Sequence, residues 1–375
     1  MKSIRVVLFL VATLLAVLIA LVAPTAQAAL GAFITLFVVM ALLSVPRGTA
    51  RLCATLSATE ILQDTLAAFK VQFPMLTGPV GFGTDFSSAT AKLNDTVIAH
   101  IRTLPSTQSY DATSGYEANA AEASSLLVDV PVVLDQHKHV PVKVDHIDVL
   151  SSKKDLYANA IGDMAFVLGK AVVDDALAEV KAANFTYGAN VTVSNTSKTT
   201  LNSATKKLNQ NGNMPRGRFG LVTSDFYNAL EEDARVSSRD YHGQQREGSG
   251  YGELQNIAGF ERIWEYPDLQ TAAGENLNAF LGNRNAVAIC SKVPSDPSQL
   301  AASIGIPAIA KFETVTDPNS GLTLLGIQWM KSGTFDIWLT VALIWGVAAG
   351  KQDGANGVKC DKAGYRVTES GGTFA

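Results

Sequence analysis

The stretch Lys153–Asn184 constrains the fold more than any other part of this 375-residue chain. Leu156, Ala160, Met164, Leu168, Ala171 and Val172 recur at three- and four-residue spacing, and Ala176, Leu177 and Val180 continue the row. Ser152 and Asp155 suit the start of a helix. The spacing predicts a helix of about 30 residues, ~45 Å long at 1.5 Å per residue. A rod of that length must bury its apolar stripe against another layer. The neighbouring sequence supplies strands for that purpose, which points to an α+β fold.

Two β-branched runs precede the helix, Thr96–Ile101 and Val130–Leu134. Val140, Val142 and Val144 then alternate with Pro141, Lys143 and Asp145, the pattern of a half-buried edge strand. Between the first two runs lies the polar piece Pro105–Ser125, a long hairpin excursion of the kind that is often functional. Ser57 with Glu60 forms a capping box for a helix carrying Ile61, Leu62, Leu66 and Phe69 and ending by Pro74. Gly78–Ser88 reads as a turn-rich arm, and a short helix is expected around Leu201–Leu208. Near the other end, Ala308–Val315, Leu322–Met330 and Thr334–Ala349 are separated by turn signals and predict a three-stranded meander. Phe335–Ala349 is apolar but short and contains Asp336, so a buried strand is the reading rather than a membrane span.

Residues 1–50 form a separate hydrophobic leader. Lys2 and Arg5 precede an apolar run from Val6 to Val22, followed by Ala26-Gln27-Ala28 and a second apolar run from Leu30 to Val45. The pattern is that of a secretory signal peptide, or of a membrane hairpin or anchor. Four N-x-S/T sequons, at Asn94, Asn184, Asn190 and Asn195, are what chance gives in a Thr- and Asn-rich chain. Cys53, Cys290 and Cys360 are far apart and odd in number, which argues against a disulfide framework.

The stretch from Asn213 to Leu269, beginning NMPRGRFGLVTSDFYNALEEDARV, reads as a short apolar strand and a helix opened by Ser224-Asp225. A polar Gly-rich loop follows, and then a strand around Ile257-Ala258-Gly259-Phe260. It resembles the central part of the major capsid (coat) proteins of tailed bacteriophages, as does the later run Gly321-Leu322-x-Leu324-x-Gly326-Ile327-x-Trp329. The resemblance covers roughly Ala54 to the early 350s and rests as much on element order as on motif. It implies an amino-terminal arm (51–95), an extended β-hairpin loop with its strands (96–150) and a spine helix in a peripheral domain (151–196). A central axial α/β domain (197–303) and returning peripheral strands with a carboxy-terminal tail (304–375) complete the expected organisation.

The function so implied is self-assembly into an icosahedral shell around double-stranded DNA, with pentamers and hexamers of the chain itself. Implied partners are a scaffolding protein, a portal and the packaged DNA, bound without sequence preference. A membrane is a partner only if the leader is real and retained. Coat subunits assemble in the host cytoplasm, so an export signal conflicts with this reading. The leader is then a misassigned start upstream of Met40 or a processed segment, or else the chain is exported. In the last case an exported β-rich surface or adhesive protein is the alternative. A net charge of −4 and a pI near 5.8 give no basic surface for nucleic acid, yet a container that confines DNA does not need one.

No catalytic, cofactor or metal site is expected. His137, His139 and Asp135, with Asp145 and His146 nearby, sit on a strand edge without a recognised metal spacing and read as a solvated or interface face. Asp174-Asp175 and Glu231-Glu232-Asp233 read as surface charge. Gly81-Phe82-Gly83 and Gly248-Ser249-Gly250 are turns rather than phosphate loops. Some coat proteins cross-link through a lysine on the extended loop, but Pro105–Leu134 has none, so cohesion is expected from buried area and interlocking arms. Candidate subunit-interface residues are Tyr110, Asp111, Tyr116 and Glu117 on that loop. Arg235, Arg239 and Tyr241 are added from an Arg-dotted loop that also includes Arg246 and Arg262.

Overall fold

The computed structural model describes residues 58–102, 107, 109–110, 112–113, 116, 127–144, 156–213, 215–233, 236, 252–273, 275–294, 310–330, 336–350, 363–369 and 374. The leader and Cys53 and Cys360 lie outside them. The described residues belong to one compact unit, Ser57–Ala375. The fold is α+β.

Its first sheet is built on β13 (Ile337–Ala349), the most apolar strand of the chain. The sheet runs β1 (Gly83–Ala91), β10 (Val287–Pro294), β13, β12 (Thr323–Met330) and β11 (Ala310–Thr316), with β4 (Gln136–Val144) also pairing along β13. The expected meander is present as β11, β12 and β13, antiparallel in sequence order. Leu339, Val341, Leu343 and Trp345 occupy alternate positions of β13 and are all buried.

Two helices cover this sheet. α1 (Ala58–Gln72) begins where the Ser57/Glu60 spacing predicts and gives way to the short α2 (Pro74–Thr77). The spine helix α3 spans Leu156–Ala178, which is shorter than the Lys153–Asn184 expectation at its carboxy end. Past Ala178 the backbone folds into turns, with Asn184 N–H and Phe185 N–H both bonded to Lys181 O. There Asn184 stops the helix by directing its side-chain amide to Glu179 O. Met164, Ala165, Leu168, Val172, Val173, Ala176 and Leu177 are all within 1% of full burial, so α3 is enclosed on more than one face.

The second sheet has the order β5 (Gly188–Asn190), β14 (Gly364–Thr368), β9 (Leu277–Asn283), β6 (Arg218–Val222), β8 (Phe260–Glu265) and β7 (Glu253–Ile257). Its core joins α4 (Lys198–Gln210) and α5 (Ser224–Glu232) to the sheet through Leu201, Leu208, Phe226, Leu230, Ile263 and Leu281. The short α6 (Leu269–Ala273) follows β8. A hairpin of β2 (Thr96–Arg102) and β3 (Leu127–Val133) stands apart from both sheets in its pairing.

Several expectations need correction. Gly78–Ser88 is not only turns: β1 occupies Gly83–Ala91, drawn into the sheet by parallel pairing with β10. Ile257–Phe260 is not one strand but the tip of a hairpin, because Ala258 and Gly259 both adopt positive φ, as a two-residue primed turn requires. Helix α5 does begin at Ser224, as the sequence suggests, and it is capped by Thr223, whose hydroxyl accepts from Phe226 N–H at 3.4 Å. β14, in the stretch expected as returning strands and carboxy-terminal tail, lies between β5 and β9 in the second sheet. β10 belongs to the first sheet, where it pairs with β13.

Candidate assembly surfaces

The hairpin is two-faced because strand side chains alternate. Ala99, Ile101, Val130 and Val132 face inward and pack with Leu134 on Ala288, Cys290 and Ile344 of the first sheet. Its seat depends on Gly346, where an added Cβ would collide with Val133 O. The outward face keeps Ile98 and Val133 about half exposed, at 49% and 46%, and nearby Leu93 at 47%. His100 and Asp129 lie opposite each other on that face, Nδ1 to Oδ1 2.8 Å apart. In the connecting loop Tyr110 and Tyr116 hold their ring centroids 5.0 Å apart and are both exposed.

A second apolar surface lies on the helices. Phe166 and Val167 of α3 are each 50% exposed although their neighbours in the helix are buried. Phe166 leans on Phe73, with centroids 5.9 Å apart, and Val71 of α1 is exposed as well. Large apolar side chains left in water next to a well-packed core are characteristic of surfaces that meet a partner. Among the described residues β4 pairs only with β13, leaving its outer edge open; Pro141, Lys138 and Lys143 are residues that discourage casual strand addition there.

Part-buried polar joints hold these surfaces in place, and sequence reasoning missed them. Asp174 and Asp175 are not free surface charge. Asp175 Oδ2 accepts Trp345 Nε1–H at 2.9 Å and lies 3.4 Å from Lys138 Nζ. Asp174 pairs with Lys170 at 2.9 Å and accepts the Tyr266 hydroxyl proton. Lys170 also reaches Asp268 at 2.9 Å, and that hydrogen bond chiefly raises its pKa, followed by the pairing with Asp174. Burial first, and then the Asp174 hydrogen bond, push the Tyr266 phenol well above its ordinary range, so it stays a donor. Asp233 likewise accepts Lys198 N–H at 2.8 Å. Arg262 is a strand residue paired with Glu253 at 2.7 Å, not part of a mobile-looking loop. Arg366, 1% exposed in β14, pairs with Glu275, whose carboxylate also accepts Ala182 N–H at 3.0 Å. The only signal for these joints in the sequence was polar residues at apolar-periodic positions, which cannot name the partner.

Of the candidate interface residues, Tyr110 and Tyr116 are brought together and exposed. Asp111, Glu117, Arg235, Arg239 and Tyr241 lie outside the described residues. His137 and His139 share one face of β4, where burial, and then the neighbouring imidazole, lowers the His137 pKa. Among the described residues no cluster of His, Cys, Asp and Glu has the makings of a metal site, and no helix is long and apolar enough to cross a membrane. Cys290 is fully buried, and its thiol is pushed up to about 12, by burial foremost and then by Asp85, which leaves it without thiolate character at neutral pH.

No protein-family model matches the chain, and no curated protein matches it. Solved structures do resemble it. One is from the capsid of the cyanophage P-SCSP1u, at 13% identity and TM-score 0.45 over 76% of this chain and 86% of that one. Another is from the capsid of Ralstonia phage GP4, at 11% identity and TM-score 0.45 over 77% and 86%. A structure from Mycobacterium phage Che8 aligns at 17% identity and TM-score 0.43 over 75% and 86%.

Proposed function

We propose that this chain is a structural subunit that tiles copies of itself into the icosahedral shell of a tailed bacteriophage, enclosing double-stranded DNA. The observation that carries the reading is the chain's own order and surface. A two-stranded hairpin with an exposed apolar outer face precedes a spine helix that lies on a meander sheet and leaves Phe166 and Val167 in water. A second sheet follows, with β14 inserted between β5 and β9. The two exposed apolar surfaces belong to different elements, so copies that bury them against one another do so head to tail. Such heterologous contacts close into rings when the rotation between copies closes. Pentamers and hexamers are rings of this kind.

Cohesion in this reading comes from buried apolar area and strand contacts, not from covalent chemistry. Assembly takes place in the host cytoplasm around a scaffolding protein, with a portal at one vertex and the DNA confined without sequence preference. The boundaries between peripheral and axial parts follow the two sheets rather than single chain segments. Expression of the full chain, and of a version beginning after residue 50, followed by gradient sedimentation and electron microscopy tests the proposal. Megadalton closed particles are the expected result. A monomer recovered from the periplasm in place of particles overturns it.

A further inference from the structure

We infer that the consecutive carboxylates Asp174 and Asp175 form a coupling joint, through which the position of the second sheet is transmitted along α3 to the first. Successive residues of an α-helix point about 100° apart. Asp174 therefore reaches one neighbour and Asp175 another. Asp174 binds the Tyr266 hydroxyl and Lys170, and Lys170 binds Asp268 in turn, with its ammonium over the Tyr266 ring 5.9 Å from the centroid. Tyr266 directly follows β8 and is tied to the second sheet by its N–H, which bonds Val222 O of β6 at 2.8 Å, while its carbonyl receives Leu269 N–H. Asp175 holds the indole N–H of Trp345, near the middle of β13, and Lys138 of β4.

The helix cannot absorb a displacement between these two points. Val172, Val173, Ala176 and Leu177 surround the pair and are at most 1% exposed, so the turn is clamped by close packing. A shift of Tyr266 and Asp268 must move the turn as a body, and the part of β13 around Trp345 moves with it. A second attachment, Ala182 N–H to Glu275 and Glu275 to Arg366, ties the turns that follow α3 to the same sheet and gives the motion a fixed pivot. The consequence for a shell, in which neighbours press on one sheet and the other responds, rests on the function proposed above. The joint itself does not.

Hydrogen exchange of the full chain, read by mass spectrometry, tests the joint. Tyr266→Phe removes the phenolic donor and leaves Trp345 untouched. The expected result is exchange about tenfold faster both in 260–273 and in 343–349, the scale set by loss of one hydrogen bond to a charged group. Trp345→Phe should accelerate 266–273 as well as its own strand. Acceleration confined to the altered element in either variant overturns the inference. Should Tyr266→Phe fail to fold, Lys170→Met reads the same two segments with the phenol in place, and the same confined pattern is decisive. Coupled exchange in a chain that forms no particles leaves the joint standing and removes the shell reading; particles with confined exchange do the reverse.

Discussion

Asp317 is the best place to test how polar joints stabilise this fold, because its chemistry gives a number. It is 2% exposed at the β11–β12 turn, where Lys70 at the end of α1 sits 2.9 Å from Oδ1. Ser320 donates to Oδ2 through its N–H at 3.0 Å and its hydroxyl at 2.6 Å. Burial alone would push this carboxyl up. The Ser320 hydroxyl, Lys70 and the Ser320 N–H outweigh it and hold the pKa at about 2, against 3.8 for the free group. A depressed native pKa contributes stability above the unfolded value, and that contribution is lost as pH falls through the native value. The contribution is about 2 kcal/mol at pH 7 and shrinks to about 1 kcal/mol at pH 3. Asp317→Asn, which keeps an acceptor but no charge, should therefore lower the unfolding free energy by about that much at pH 7 and by half as much at pH 3. Urea denaturation of the two chains across this range measures the gap. A gap that stays constant from pH 7 to pH 3 refutes the account, since the charged form would then not be what the site stabilises. Lys70→Met should cost less, under about 1 kcal/mol, because the ammonium is 35% exposed and screened.

Gly346→Ala should unseat the β2–β3 hairpin by forcing β13 away from Val133, and limited proteolysis would then cut the hairpin strands faster than in the unaltered chain. Equal cutting rates would show that the strands part without cost. Phe166→Asp should lower the unfolding free energy by only about 1–2 kcal/mol, the loss of a half-buried ring and its contact with Phe73, while abolishing particles in a sedimentation gradient. Particles of normal size from that variant would remove Phe166 from the contact surface. The Cys290 peptide should stay unlabelled by iodoacetamide in the native chain at pH 8 and label fully in urea; native labelling would contradict its burial and raised pKa.

What the sequence made legible was what repeats locally. The spine helix announced itself through Met164, Leu168 and Val172, and the meander through β-branched runs separated by Asp317-Pro318-Asn319-Ser320-Gly321. The hairpin was legible for the same reason. β1 was missed because Gly83-Thr84-Asp85-Phe86-Ser87 has no strand pattern of its own, and its extended form is supplied by β10, in which Ala288 pairs with Gly83. Ala258 at φ 51° hid a turn inside an apolar run. The Asp174–Asp175 pair looked like solvated charge because the atoms that bind it, Tyr266 and Trp345, are 92 and 170 residues distant in sequence. As to the candidate site, the tyrosines of the loop were legible as exposed aromatics in a polar segment. The apolar patch on α3 was not, since Phe166 and Val167 merge with the helix's own buried stripe.

The position of β14 has the furthest consequence. Gly364–Thr368 lies between β5 and β9, so each of those strands borrows a partner from the carboxy end of the chain. Tyr365 and Val367 enter the second-sheet core, and Arg366 closes over Glu275. Burying a large apolar side chain is worth roughly 1.5–3 kcal/mol, so these two side chains contribute about 3–6 kcal/mol, the size of the lower end of the roughly 5–15 kcal/mol that holds an average domain together. Without β14, β9 becomes an unpaired edge and β5 loses its only partner among the described residues, which invites strand addition between copies in the wrong place. A chain ending at residue 362 should therefore aggregate rather than assemble, with fast exchange in 277–283 even where α1 and β11–β13 remain protected. If that shortened chain forms closed particles with 277–283 protected, the second sheet does not need its last strand. The interleaving of the two sheets would then be incidental to stability.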